Sequence, residues 1–77
     1  MMQILCLNEI RPGEKARVRE LRNQGSMRRR LLDLGLIEDT EVECVGRSPA
    51  GDPSAFYIRG AVIAIRSEDG AGILVEK

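Results

Sequence analysis

The segment Thr40-Glu41-Val42-Glu43-Cys44 carries the clearest secondary-structure signal in this chain of 77 residues. Apolar and charged residues alternate along it, with Val42 and Cys44 on one face and both glutamates on the other. Since successive side chains of a β-strand point to opposite faces, the alternation predicts a strand with one buried and one solvated face. The fold is therefore expected to be built around a sheet.

Three more strands are predicted downstream of this segment. Residues 48–53, Ser-Pro-Ala-Gly-Asp-Pro, are rich in turn formers and predict a loop. Residues 55–59 and 61–66 then predict two strands joined tightly at Gly60, which is a β-hairpin. Residues 67–70 predict another turn, and Ile73-Leu74-Val75 predicts a final short strand.

One further strand is predicted upstream, where Ala16-Arg17-Val18-Arg19 again alternates apolar and polar residues. The alternation slips by one residue at Glu20. Leu21 can share the buried face of Val18 only if one residue is bulged out. Because β-bulges are common where a strand curls into a small barrel, we predict an irregular strand here.

A short helix is predicted between these strands, at residues 27–34. Ser26 is a candidate N-cap. Met27, Leu31 and Leu34 fall at the i, i+4 and i+7 positions of one helix face. Gly35 suits the left-handed residue that ends a helix, and Leu36 is expected to pack back on Leu31. A helix of about two turns needs tertiary packing to be stable.

Five short strands and one short helix predict a single mainly β domain over residues 1–77, built as a small closed β-barrel. Closure of the sheet would remove its exposed edges, and the helix would cover one end. A three-stranded sheet with one packed helix is the alternative. The expected inward positions are the alternating pairs Val42/Cys44, Phe56/Ile58, Ile63/Ile65 and Ile73/Val75.

Charge and cysteine content restrict the compartment and the class of partner. Twelve basic and twelve acidic residues cancel, so no overall field favours nucleic acid or a membrane surface. Two cysteines are fewer than a small secreted domain usually carries. The N-terminus is too short for a signal peptide, and no run approaches the ~18 apolar residues of a membrane span. A cytoplasmic protein without membrane insertion is expected.

The sequence offers no recognisable catalytic or cofactor chemistry. Histidine, the most frequent general base and transition-metal ligand, is absent. Cys6 and Cys44 lack metal-ligand spacing, and Cys44 falls on the inward face of its strand. The segment at residues 49–53 lacks the lysine and the following helix of a phosphate-binding loop. We therefore predict no enzyme activity, no cofactor and no tight ferrous iron site in the isolated protein.

Arg28-Arg29-Arg30 is the sharpest charge feature. On a helix, three consecutive side chains spread over about 200°, so they cannot all face one ligand. A solvated helix flank whose side-chain stems cover apolar surface is one interpretation. An acidic protein partner is another. Nucleic acid is disfavoured because the chain has almost no aromatic residues for stacking on bases.

An ordered set of residues carries a resemblance to a known family. The set consists of Leu7, Ile10, Gly13, Ala16, Val18, Arg30-Leu31-Leu32-Asp33-Leu34-Gly35-Leu36, Thr40, Val42, Pro49, Gly51-Asp52-Pro53, Gly60, Ile63-Ala64-Ile65-Arg66, Ile73 and Val75. From Leu7 to Val75 the chain resembles the ferrous iron transport protein A (FeoA) family. It departs from that family at Glu38-Asp39, where Pro-Gly is common.

The resemblance implies an SH3-like barrel and a function in ferrous iron uptake. The implied partner is the cytoplasmic portion of the ferrous iron transporter, which includes a GTP-hydrolysing domain. A free-standing SH3-like adaptor that binds a peptide or another protein is the alternative. Proline-rich peptides dock in aromatic-lined grooves, and one Phe and one Tyr hardly build such a groove.

The partner surface is expected to contain one outward-facing aromatic residue and one outward-facing leucine. If Phe56 points inward, Tyr57 must point outward, and Leu74 points outward if its neighbours point inward. An apolar centre with a charged rim is typical of transient interfaces. We therefore predict that Tyr57, Leu74, Arg28 and Arg29 contribute to transporter binding.

Overall fold

A computed structural model describes residues 2–77, which form one antiparallel sheet with two helices and a 3₁₀ turn. In chain order the elements are β1 (Ile4–Cys6), the 3₁₀ turn (Leu7–Glu9), β2 (Lys15–Leu21), α1 (Gly25–Asp33), β3 (Glu41–Arg47), β4 (Ser54–Ile58), β5 (Ala61–Ile65), α2 (Ser67–Gly70) and β6 (Ile73–Glu76). The strand order is β1-β6-β2-β3-β4-β5. The mainly β class is confirmed.

The sheet has six strands rather than the expected five. The additional strand is β1, which pairs with β6 in the register Leu5 opposite Val75. Three apolar residues carry no alternation, and their partner lies at the other end of the chain, so no local signal marks them as a strand. The predicted turn at residues 67–70 also differs, since it folds into the single-turn helix α2.

The sheet curls around the core without hydrogen-bonded closure. Within residues 2–77, β1 and β5 each pair with a neighbour on one side only, and they do not pair with each other. The expected removal of edges by closure is therefore wrong at this seam. Two sheet edges remain, one along β1 and one along β5.

The predicted bulge in β2 is confirmed. The pairing of β2 with β6 shifts register between Val18 and Glu20, so Arg19 is the extra residue. Val18 and Leu21 consequently both face the core, as the slipped alternation required. A bulge also increases the local twist of a strand, which helps a short sheet to curl.

The core is one mainly aliphatic cluster to which most elements contribute. All predicted inward residues are buried except Ile63, which is partly buried and packs against the cluster. The fully buried side chains of large volume include Phe56, Leu7, Ile10, Leu36, Ile58, Ile73, Val18, Val42 and Val75. The helix reaches this core through Leu31, which is 2% exposed.

Helix α1 spans Gly25–Asp33, close to the predicted range of 27–34. The predicted N-cap at Ser26 is wrong, because Gln24 has the extended backbone of the capping position and makes no side-chain capping bond. The predicted C-terminal cap is confirmed. Gly35 has φ +103, its N–H donates to Leu32 at 3.0 Å, and the N–H of Leu36 donates to Leu31 at 3.0 Å.

The structure explains why glycine occurs at position 35 and aspartate at position 39, near this cap. A Cβ on Gly35 would collide with the side chain of Arg59, which lies across the helix end. Asp39 adopts φ +72, a left-handed backbone that glycine also favours. Asp39 can hold this turn without a glycine, because aspartate tolerates this conformation better than most residues.

Neither helix in residues 2–77 has the length and apolar content that crossing a bilayer requires.

Candidate functional site

The β4–β5 hairpin presents an apolar surface because of its turn. Arg59 and Gly60 both have positive φ, 49 and 88, as in the two-residue type I′ turns that suit the twist of paired strands. This turn fixes the register in which Tyr57 lies opposite Val62 and Ala55 opposite Ala64. Both pairs point away from the core, since Phe56 and Ile58, which alternate with Ala55 and Tyr57 along β4, point into it.

We define the apolar patch as Val45, Ala55, Tyr57, Val62 and Ala64. Tyr57 is 47% exposed and Val62 is 64% exposed. Val45, 45% exposed, lies in the neighbouring strand β3 at a register shift between Cys44 and Gly46. Directly opposite residues on paired strands have Cβ atoms about 5 Å apart, so Tyr57 and Val62 form one contiguous surface.

Charged residues border the apolar patch on the β3 side. Glu43 lies opposite Tyr57 across the β3–β4 pair and is partly buried. Lys15 lies opposite Glu43 on β2, and exposed Arg59 forms the hairpin tip. An apolar centre with a polar rim is the organisation found in transient protein interfaces.

The β2–β6 side of the sheet is covered instead by ion pairs. Arg19 Nη1 donates to Asp39 Oδ1 at 2.7 Å, and Arg19 Nε donates to Glu76 Oε1. The hydrogen bond to Glu76, with a smaller effect of Asp39, raises the pKa of the Arg19 guanidinium. Lys77 Nζ donates to Glu14 Oε2, and this bond lowers the pKa of Glu14, helped by the backbone N–H of Arg11.

The four residues predicted for the partner surface are not one patch in the sheet. Tyr57 is in the apolar patch on β4, whereas Leu74 is on β6, with β2 and β3 lying between these strands. Leu74 is partly buried. Arg28 Nη1 donates to the carbonyl of Leu21 at 2.7 Å, so this guanidinium is held at the end of β2. Arg29 is exposed on α1.

Val45 and Val62 are two exposed residues of the apolar patch that sequence reasoning missed. The exposure of Val62 could have been predicted from the sequence. A tight hairpin at Gly60 with Ile63 and Ile65 inward places Val62 outward and opposite Tyr57. Val45 had no such signal, because its exposure depends on the register shift in β3.

The cysteine and carboxylate side chains do not converge on a metal-binding arrangement. Within residues 2–77, no three side chains of His, Cys, Asp or Glu are grouped so that they could hold a metal ion. Cys44 is buried, as its inward position predicted, and Cys6 is partly buried.

Comparisons with known proteins agree with this architecture. The model of the FeoA domain matches residues 5–77. A fusion of Fe(2+) transport protein A with the Fe(2+) transporter FeoB from Porphyromonas gingivalis is 30% identical over 70 residues, which are 91% of this chain and 8% of that protein. The chain thus spans less than a tenth of this relative.

Solved structures show the same fold. The solution structure of a FeoA-like protein from Clostridium acetobutylicum has a TM-score of 0.86 and 32% identity, covering 97% of this chain and 87% of that one. The FeoA of Stenotrophomonas maltophilia, described as a prokaryotic SH3 domain protein, has a TM-score of 0.83 and 22% identity, with 95% of each chain covered. The SH3-like fold is confirmed, and this chain belongs to the FeoA family.

Proposed function

We propose that this chain is a non-catalytic accessory domain of ferrous iron uptake. In this proposal it acts in the cytoplasm, where it binds the GTPase-containing portion of the ferrous iron transporter and modulates it. The support from relatives is the Porphyromonas gingivalis protein, in which a FeoA domain and the transporter share one polypeptide. Fusion raises the effective concentration of one domain near the other, which is useful when the two act together.

The observation that carries the proposal is the apolar patch. Tyr57 and Val62 expose 47% and 64% of their surface on adjacent strands, with Val45 beside them. Scattered exposed apolar residues are normal, but a contiguous group rimmed by charge marks protein interaction sites. Tyrosine is also one of the residue types that most often dominate binding energy at interfaces.

Two further features favour protein binding over the alternatives. The chain has one Phe and one Tyr, and Phe56 is in the core at 1% exposure. Only Tyr57 is left to line a groove for proline-rich peptides, so a proline-binding adaptor is a poorer fit. The proposal also involves no bound cofactor and no nucleic acid, in keeping with the balanced charge of the chain.

The test measures binding of the transporter's isolated cytoplasmic portion to variants of this chain by isothermal titration calorimetry. Tyr57→Ala/Val62→Thr is expected to weaken binding at least about tenfold, which corresponds to about 1.4 kcal/mol. Both side chains are exposed, so circular dichroism should show an unchanged fold. Wild-type affinity of a correctly folded double variant would remove the apolar patch from the interface.

The matched control addresses the surface predicted from the sequence. Leu74→Ala/Arg29→Glu alters the β6 side and the helix, away from the apolar patch. We expect its affinity to stay within about threefold of wild type, because rim and peripheral residues contribute little to binding. If this variant fails to bind while Tyr57→Ala/Val62→Thr binds normally, the interface lies on the β6 and helix side.

A further inference from the structure

The outer edge of β5 offers unpaired backbone groups. In a two-residue hairpin the residues that flank the turn form a hydrogen-bonded pair, here Ile58 with Ala61. Hydrogen-bonded pairs alternate along the ladder, so Ala61, Ile63 and Ile65 bond to β4. Val62 and Ala64 direct their N–H and C=O groups away from β4, and no other strand of residues 2–77 pairs with them.

The other sheet edge is protected. Strand β1 has three residues, against five in β5. The backbone N–H of Cys6 donates to Glu9 Oε1 at 2.7 Å, so one of the outward groups of β1 is already occupied. Short length and occupied donors are ways in which proteins prevent strand addition. Strand β5 has neither of these protections, and all five of its residues are apolar.

A groove lies between β5 and the helix. Its volume is about 390 Å³. The edge of β5 at Ala64 and Ile65 forms one wall, and the helix forms the other with the partly exposed Met27 and Leu34 and the buried Leu31. A strand added to β5 would continue the inner face of the sheet, so alternate side chains would point toward the helix. The groove therefore supplies pockets for side chains beside the free hydrogen-bonding groups of the edge.

Charges on the groove rim indicate the chemistry of the occupant. Arg30 and Arg66 line it, and neither forms an ion pair in the part of the chain that the structure describes. Glu68 and Asp69 lie at its α2 end. Arg30, on the helix wall, is distant in sequence from these carboxylates. Its guanidinium suits an acidic side chain on a segment bound in the groove.

A second copy of this chain is the competing occupant of this edge. Slow exchange at Val62 and Ala64 in the isolated chain, becoming slower as its concentration rises, would assign the edge to pairing between copies and overturn the proposal of a partner segment.

We propose that β5 accepts an extended segment of a partner protein as a seventh strand, with apolar side chains toward Met27 and Leu34 and an acidic side chain toward Arg30. Main-chain hydrogen bonds to Val62 and Ala64 supply affinity, and the groove supplies specificity, as in other cases of β-strand addition. This deepens the proposed function and rests on it in taking the transporter's cytoplasmic portion as the source of the segment.

Amide hydrogen exchange in the ¹⁵N-labelled chain tests the proposal. In the free protein, the N–H groups of Val62 and Ala64 exchange fast, whereas those of Ala61 and Ile63 are already protected by β4. With the transporter's cytoplasmic portion bound, exchange at Val62 and Ala64 slows at least about tenfold, which gives continuous protection along β5. A complex that leaves both amides fast overturns strand addition and leaves the proposed function standing.

Variants supply an independent readout. Ala64→Pro removes an outward N–H without removing a bond to β4, and it should weaken binding at least about tenfold. Ala64→Val keeps the donor and should stay within about threefold. Arg30→Glu should weaken binding, whereas Arg29→Glu, on a neighbouring position outside the groove, should not. Equal effects of Ala64→Pro and Ala64→Val overturn the proposal.

A synthetic peptide separates this inference from the function it rests on. The peptide alternates valine and threonine and ends in aspartate, and it is added at millimolar concentration to the labelled chain. If the transporter portion forms no complex, the proposed function fails, and slowed exchange at Val62 and Ala64 with the peptide supports strand addition alone. Fast exchange at both amides in that arm overturns the inference as well.

Discussion

The two halves of the sheet, called here the β2–β6 side and the β4–β5 side, differ in the residues that cover their outer faces. On the β2–β6 side, Arg19 is bound by Asp39 and Glu76, and the C-terminal Lys77 is tied to Glu14. On the β4–β5 side, Tyr57 and Val62 are exposed opposite each other. Every ion pair among residues 2–77 lies on the first side, in residues 14–22, 39 and 76–77.

The difference separates contacts that hold the fold together from a surface that the proposed function assigns to a partner. The ion pairs of Arg19 link β2 to Asp39, in the turn that precedes β3, and to Glu76 in β6. They thus connect segments that are distant in sequence. The β4–β5 hairpin is local, since its register follows from a two-residue turn. Because the turn sets the register of the hairpin, none of the ion pairs of residues 2–77 is needed on its outer surface.

The largest expected effect comes from the core that the two sides share. Leu31 is buried at 2% exposure in the cluster that contains residues of β2, β3, β4, β5 and β6. Leu31→Ala should therefore destabilise both sides together, by about 2–5 kcal/mol. Urea unfolding followed by circular dichroism measures this loss.

The neighbouring Leu32 provides the control for that experiment. Leu32 is 38% exposed, so Leu32→Ala should cost less than about 1 kcal/mol. Two separate unfolding transitions in Leu31→Ala would show that the sides of the sheet do not share one cooperative core. A loss as small as that of Leu32→Ala would show that the helix is peripheral.

An intermediate effect is expected from removing the central ion pair of the β2–β6 side. Glu76 is 9% exposed, and Arg19→Met leaves this carboxylate without its partner in a poorly solvated position. The thermal midpoint should fall clearly. Val62→Thr on the opposite side should leave it nearly unchanged, because Val62 is 64% exposed.

The double variant Arg19→Met/Glu76→Met sharpens this comparison. Replacing a buried ion pair by apolar residues of similar size is often neutral, whereas removing one partner is costly. Most of the stability should therefore return in the double variant. A midpoint as low as that of Arg19→Met would mean that the methylene packing of Arg19, rather than its charge, stabilises this side.

The smallest expected effect is a dependence of stability on acid pH at Glu14. The hydrogen bond from Lys77 lowers the pKa of Glu14 below its ordinary value of 4.5. A carboxyl group whose pKa is lower in the folded state stabilises the fold above its unfolded pKa, and this contribution is lost as pH falls through the folded pKa. Lys77→Met should raise the pKa of Glu14.

An NMR titration of the Glu14 carboxyl carbon measures this shift. Lys15→Met serves as the control, because Lys15 takes part in none of the ion pairs of residues 2–77. The stability difference between Lys77→Met and the unaltered chain should vanish at pH values below both pKa values. An unchanged Glu14 pKa in Lys77→Met would exclude the ion pair as the cause.

The sequence by itself determined the local elements whose signals lie within a few residues. Alternation at Val42 and Cys44 specified β3, the slip at Glu20 required the bulge, and Gly35 with Leu36 specified the helix cap. The tight turn at Gly60 specified the hairpin. Each depends on a steric or periodic rule that acts over one or two turns of chain.

Only the tertiary structure decided how distant segments meet. It paired Ile4–Cys6 with the other end of the chain and left β1 and β5 unpaired with each other. It placed two strands, β2 and β3, between Leu74 and Tyr57. It also placed Val45 beside the hairpin. These outcomes depend on contacts between residues far apart in sequence, and such contacts leave no periodic signal in either segment, because each is favourable only once the other is in place.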